Sequence, residues 1–310
     1  MGLYRPNRQR SHIDRMRVGR GKRGGEGVGL GGGRINKKKT GPKIGGAPAN
    51  FAYHCKQNGL DAITISSVGK DELGFKARNL LANRFLPALL IESNKATGCV
   101  HIKVDCNGVP SYNFDENTAF DNIHFTDDLN EIAHKLDMVC FGSLAQRNNV
   151  SHQTIMKVLD TLSQDAIKVF DVNLRANFYS KEVILSSLQR TNIFKCNEDE
   201  LPILCNLLGV KGNTSKEFYT YLQSLGIDCF IFTEGSVQST VYLNDEVSTL
   251  PTPKVKVVDT VGAGDSFTAT IVSKLMQGES LTSAHQKAVK YAAYVCTQSG
   301  AMPDIPSSYL

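Results

Sequence analysis

Four short apolar runs set the strongest constraint on this chain: MVCFGS (138–143), IKVFDVN (167–173), NIFKCN (192–197) and CFIFTE (229–234). The stretches between them, near 150–162, 181–189 and 216–225, have the length and apolar spacing of helices. Strands alternating with helices of that length predict a mostly parallel sheet covered on both faces, an α/β fold. Ligands of such sheets bind beyond the carboxyl ends of the strands. Those ends carry Ser143, Asp171 with Asn173, Asn197 with Glu200, and Thr233. Singly, each is an ordinary turn former; repeated along one predicted edge, they mark a site.

A chain of 310 residues suits one large domain, or one with a small appendage. No run reaches the ~18 continuous apolar residues of a membrane span, and no signal-peptide core opens the sequence, so the default location is cytoplasmic. Eight cysteines are scattered, several inside apolar segments, without a CxxC pair or HExxH. They read as buried thiols rather than a zinc or disulfide framework.

The net charge of +5 divides unevenly. Residues 1–40 hold 12 of the 35 Lys and Arg against Asp14 and Glu26 alone, so the remaining chain is net acidic. This basic, glycine-rich segment shows no helix or strand periodicity, and residues 1–41 are expected to be a disordered tail. Clustered cations attract phosphates, yet no aromatic platform or reading helix accompanies them, so a nucleic-acid partner is not expected. The folded domain is expected over 42–310. Within it, a helix is expected at 49–58, a strand at 62–67 and a helix at 73–84. The runs CVHIKVD (99–105) and PSYNF (110–114), joined by a turn, predict a hairpin in a small β appendage over 95–120.

Near the carboxyl end, DTVGAGDSF (259–267) follows an expected strand at 255–258 and opens an expected helix at 265–276. Gly262, Ala263 and Gly264 thus occupy a turn where the backbone is approachable and the first helical N–H groups lack partners. Such a helix start attracts a phosphate. Asp265 then has two readings. It caps the helix, or it accepts the proton of a hydroxyl attacking a phosphoryl group held in the turn.

DTVGAGDSF resembles the C-terminal signature of the ribokinase-like carbohydrate kinases called PfkB, and GGAPANFAYH with SSVGKDELG resembles the N-terminal one. DVNLR (171–175), NEDE (197–200) and TEGSVQST (233–240) follow in the family's order, over about 43–306. GGAPANFA and FGSLAQR are most similar to the fructokinase branch. The resemblance implies a three-layer α/β/α sandwich with a small β lid, and transfer of the γ-phosphoryl group of ATP to a sugar hydroxyl with Mg2+. Fructose 6-phosphate is the product it favours.

Residue by residue, the resemblance makes Asp265 the base and the N–H groups of 262–265 the anion hole. Asn197 and Glu200 match the NxxE motif that organises magnesium and its waters. Gly45, Gly46 and Asn50 match the sugar-side motif. Arg175 is a candidate clamp on phosphoryl oxygens, with Arg147 weaker, and Lys103 and Asn113 are candidates for the acceptor pocket. Thr233 and Gly235 match the start of the nucleotide segment, whose second glycine is replaced by Gln238, and the loop from Gln298 to Ala301, with Gln298 and Gly300, is a candidate adenine contact. Potassium activation occurs in parts of the family with an ion near Asp259, and homodimers through the lid are common among its members. The sequence leaves both open.

Family members begin with an apolar strand and an aspartate that grips the sugar, where this chain has its basic segment. The hypothesis that follows is a foreign or out-of-frame segment joined near Pro42. The alternatives kept open are a kinase for 2-keto-3-deoxygluconate, another sugar or a nucleoside, and a non-catalytic sugar- or nucleotide-binding protein.

Overall fold

The computed structural model describes residues 26–30, 34–38, 41–104 and 110–310. Among them the strands are β1 (Glu26–Leu30), β2 (Arg34–Lys38), β3 (Gly41–Gly45), β4 (Asp61–Gly69), β5 (Ala88–Ser93), β6 (Cys99–Val104), β7 (Pro110–Phe114), β8 (Met138–Phe141), β9 (Ile167–Asp171), β10 (Ile193–Asn197), β11 (Cys229–Glu234), β12 (Gln238–Leu243) and β13 (Glu246–Pro251). The α-helices are α1 (Ala47–Gln57), α2 (Glu72–Asn83), α3 (Asp127–Ala133), α4 (Asn149–Thr161), α5 (Lys181–Leu188), α6 (Glu200–Leu208), α7 (Ser215–Ser224), α8 (Ala263–Met276) and α9 (Leu281–Cys296).

Nine strands form one sheet in the order β13-β12-β11-β10-β9-β8-β1-β4-β5. The seven from β11 to β5 run parallel, while β12 and β13 return antiparallel at one edge. Strand alternation sorts the side chains into two cores. On β8, Met138 and Cys140 join Phe51 of α1, Phe267 and Ile271 of α8 and Ala284 of α9. Val139 and Phe141 join Ile155 and Leu159 of α4 and Phe218 of α7 on the other face. Burial on both faces is why these strands read as unbroken apolar runs. Across the second face Phe141, Phe170, Phe194 and Phe230 stand side by side on β8 to β11, with successive ring centroids 5.0, 5.7 and 6.0 Å apart. Each such burial is worth about 1.5–3 kcal/mol. The result is the three-layer α/β/α sandwich of the ribokinase-like fold. A second sheet, ordered β3-β2-β6-β7, forms the small β lid.

Two expectations need correction. The disordered tail does not extend through residue 41: β1 pairs in parallel with both β4 and β8 at the centre of the main sheet, and β2 joins β3 and β6 in the lid. The run EGVGL carries almost no apolar bulk, but main-chain pairing asks nothing of side-chain identity. Residues 1–25 lie outside the described residues. The expected strand at 255–258 is irregular chain, with Val255, Val257 and Val258 exposed. Its alternating valines imitate a strand without a neighbour to pair with. The antiparallel pair β12–β13 was not anticipated. Among the described residues no helix is long and apolar enough to cross a membrane.

Candidate active site

The start of α8 is built around Gly262, which adopts φ 84°. A Cβ there would lie 2.7 Å from the Cβ of Ala301 and 2.9 Å from its carbonyl oxygen, so both the left-handed backbone and the space require glycine. No side chain caps the helix. The Ala263 amide turns back to the Thr260 carbonyl at 3.2 Å, and the aligned peptide dipoles stand behind the rest of the first turn. Asp259 fixes the approach: Oδ1 accepts from the Val261 amide at 3.1 Å and Oδ2 from the Gly300 amide at 3.1 Å. The α8 turn and the 298–301 loop are thereby tied together.

Asp265 does not cap α8. Its Oδ2 accepts instead from the side-chain amide of Asn50, 2.7 Å away on α1. Burial raises the Asp265 carboxyl to about 6, with Asp171 adding to the rise, against the Asn50 hydrogen bond and the Lys195 and Arg175 cations. Asn50 is 2% exposed, and its carbonyl oxygen has no protein partner. A buried acceptor left open beside a carboxylate is suited to an incoming hydroxyl. Gly46, at φ 135°, opens α1, and its carbonyl oxygen accepts from the Asn50 amide nitrogen at 3.0 Å. Gly45 ends β3.

Sequence reasoning passed over Lys195. Its ammonium lies 3.1 Å from Asp171 Oδ1, with both side chains almost wholly buried. Burial opposes the charge, but Asp171, Glu200 and Asp265 outweigh it and hold Lys195 protonated. It also lies 3.6 Å from the point a Cβ on Gly264 would occupy, so it stands beside the α8 entrance. The available signal was a lysine inside the apolar run NIFKCN, since an unpaired lysine is almost never buried.

Glu200 is a strap between loops. Its Oε1 accepts from the Leu174 amide at 2.8 Å and its Oε2 from the Asn197 amide at 2.9 Å. Asn197 Oδ1 in turn accepts from the Asp199 and Glu200 amides. Burial raises the Glu200 carboxyl, against Lys195 and the two amide bonds. The strap holds the 172–176 loop, in which Asn173 and Ala176 take positive φ, and Arg175 stands exposed at its tip. Asn197 pairs in register with Thr233 on β11, and Gly235 takes φ 49°, where a Cβ would meet only the movable carboxylate of Glu198. Gln298 donates to the Thr297 hydroxyl in the loop that Asp259 anchors.

The remaining candidates lie elsewhere. Arg147 binds both carboxylate oxygens of buried Asp121 and the main-chain oxygen of Asp115, and packs over the Phe120 and Phe178 rings. It is a structural pin at the root of the lid rather than a clamp. Asn113 is exposed and pairs with His101, on the lid face opposite Phe114, which meets Phe178. Lys103 belongs to β6, and its side chain lies outside the described residues. His54, also missed, joins the two sides of the site. Its Nε2–H donates to the Ala301 carbonyl and its Nδ1 accepts from the Tyr291 hydroxyl, both at 2.9 Å.

The family model for pfkB family carbohydrate kinases matches residues 30–308. The chain belongs to that family. Among curated pfkB relatives, it is 27% identical to an ATP-dependent 6-phosphofructokinase of Thermoanaerobacterium thermosaccharolyticum, over 85% of this chain and 82% of the relative. It is 25% identical to fructokinase-1 of Zea mays, over 85% of each. A fructokinase of Xylella fastidiosa, solved with bound ATP, superposes with a TM-score of 0.78 at 17% identity, over 89% of this chain and 94% of that one. Sugar kinases and a sugar-phosphate kinase are thus about equally similar, and the pfkB family, rather than one branch of it, is what these likenesses establish.

Proposed function

We propose that this pfkB protein is an ATP-dependent kinase that phosphorylates fructose at its 6-hydroxyl. The carrying observation is the contact between Asp265, on the uncapped first turn of α8, and Asn50, on the helix behind the sugar-side glycines. In this reading the amides of 262–265 receive the terminal phosphoryl group. Asn50 Oδ1 accepts a hydrogen bond from the acceptor sugar, and Asp265 takes the proton of the attacking hydroxyl. The new bond joins that oxygen to the γ-phosphorus as the bond to the ADP oxygen breaks, and Lys195 and Arg175 face the charge that develops. Thr233, Gly235, Asn197, Gln298 and Gly300 lie around the nucleotide.

The oxygen-rich set at the strand ends fits a magnesium ion carried by ATP, which supplies neutralisation of phosphate charge. Both Glu200 oxygens already accept main-chain N–H groups, so Glu200 and Asn197 would act on that ion through its water. A potassium ion at Asp259 would have to share a carboxylate that bridges two loops.

A second reading has its own support. Lid strands β2 and β3 bring Arg34, Lys37, Lys38 and Lys43 and no acid, and no acidic residue occurs between Glu26 and Asp61. That composition favours an anionic acceptor, such as a sugar phosphate or a sugar acid like 2-keto-3-deoxygluconate. ATP consumption measured with fructose, fructose 6-phosphate, 2-keto-3-deoxygluconate, ribose and adenosine separates the readings. The largest kcat/KM is expected with fructose. Preference for a charged acceptor would replace the first reading by the second, and acceptor-independent behaviour throughout would defeat both.

A further inference from the structure

The lid brings together three side chains that the kinase reading leaves without a role. Cys99 and His101 sit two residues apart on β6, so strand alternation places both on one face. Asp115 follows β7 and lies opposite Cys99, with its amide donating to the Cys99 carbonyl at 3.3 Å. One thiol sulfur, one imidazole nitrogen and one carboxylate oxygen from these residues all lie within 4.8 Å of one another. Nothing in the spacing of cysteines along the chain foretold this, because the third donor arrives by strand pairing.

We propose that Cys99, His101 and Asp115 form a binding site for a zinc-class divalent cation at the root of the lid, independent of the phosphoryl-transfer site. The donor set is one that zinc accepts: sulfur, nitrogen and oxygen, three protein ligands with a fourth position left for water. Around such an ion, donors ~2.0–2.3 Å from the metal stand about 3.5 Å apart, within reach of small side-chain adjustments here. His101 Nε2 already faces Asp115 Oδ1 at 3.1 Å. A cation entering between them replaces the proton of that contact and draws the deprotonated thiol of Cys99 from beneath. The Cys99 residue is 4% exposed, whereas the His101 and Asp115 side chains are 43% and 40% exposed, so the ion has a path from solvent to a sheltered sulfur.

The surroundings are braced for such a ligand set. The Asp115 main-chain oxygen accepts from Arg147, which Asp121 holds by two further bonds. This bond fixes the main chain from which the Asp115 carboxylate projects. An ion here would pin the two strands of the β6–β7 hairpin at their base, where the lid leaves the main sheet.

The test uses the full chain, stripped with chelator and titrated with Co2+ as a spectroscopic stand-in for Zn2+. One equivalent is expected to produce a thiolate-to-cobalt charge-transfer band in the near ultraviolet, and Zn2+ should displace it. Cys99→Ser should abolish the band. His101→Gln and Asp115→Asn, at half-exposed positions tolerant of change, should each weaken binding at least about tenfold. Phosphoryl transfer from Mg2+-ATP, with neither Zn2+ nor Co2+ present, should persist in both. Absence of the band in the unaltered protein would overturn the proposal. So would a band that survives Cys99→Ser, or an affinity that neither His101→Gln nor Asp115→Asn changes.

Discussion

The side-chain nitrogen of Asn50 lies 2.7 Å from Oδ2 of Asp265, joining residues 215 positions apart in the chain. Helices α1 and α8 thereby meet at the carboxylate proposed as base. Asp265→Asn keeps the size of the side chain and the helix entrance but removes the proton acceptor. ATP binding is expected to survive with turnover reduced at least about a hundredfold, in line with general-base contributions. Calorimetric ATP affinity beside steady-state kcat checks this, and near-normal kcat would dismiss Asp265 as the base.

The same carboxyl dictates a pH profile. Asp265 must be ionised to accept a proton, and its surroundings raise it to about 6. The ratio kcat/KM should therefore climb with pH through an acid limb centred near 6. Lys195 lowers the Asp265 value, so Lys195→Met should move that limb to higher pH besides reducing kcat. A limb that stays in place would separate Lys195 from the ionisation of Asp265.

His54 predicts a stability profile of opposite origin. Burial lowers its pKa from 6.5 to about 4, so the unfolded chain binds the extra proton first as pH falls. The neutral, fully hydrogen-bonded imidazole contributes its stability above pH 6.5, and that contribution disappears progressively as pH falls toward 4. The full difference corresponds to about 3 kcal/mol. Urea midpoints at pH 7 and pH 5 should differ less in His54→Gln than in the unaltered protein, even though the variant is weaker at pH 7.

Gly262→Ala tests the α8 entrance. The added Cβ meets Ala301 and imposes a left-handed backbone on alanine, a combination costing on the order of 1–3 kcal/mol. ATP affinity should fall by more than the loss of thermal stability accounts for, because the turn that must yield is the proposed phosphate cradle. An unchanged affinity would detach the cradle from the nucleotide.

Arg147→Ala should destabilise the protein by about 3–5 kcal/mol, since it leaves the buried Asp121 carboxyl without its cation. A thermal-melt shift of several degrees is the expected readout. Indifference to the change would mean that the Thr118 amide and hydroxyl suffice to hold Asp121.

The central sheet was legible wherever strands are buried on both faces: Phe141, Phe170, Phe194 and Phe230 announce β8 to β11 by bulk alone. The turn proposed as the phosphate cradle was legible because glycines gather where a helix begins, and at Gly262 the left-handed backbone and the neighbouring Ala301 exclude a side chain. β1 was not, because Gly27 and Gly29 remove the apolar pattern that a strand is read from, while its pairing rests on main-chain groups that every residue carries. Lys195 was hidden for a related reason: a cation in an apolar run makes sense only once Asp171, on the adjacent strand, is known to face it. Glu200 was placed at the right corner, but sequence alone could not tell a carboxylate aimed at a metal from one engaged by two amides. His54 had no local signal, since both of its partners lie more than 200 positions away.

The central place of β1 also bears on how the molecule comes into being. Leu30 pairs with Ile65 on one side and with Phe141 on the other, so one edge of an early-made strand must wait for a partner synthesised roughly a hundred residues later. Until β8 arrives, a half-built parallel sheet offers an open flank to any other chain nearby, and nascent copies lacking it would be the ones that clump or draw chaperones.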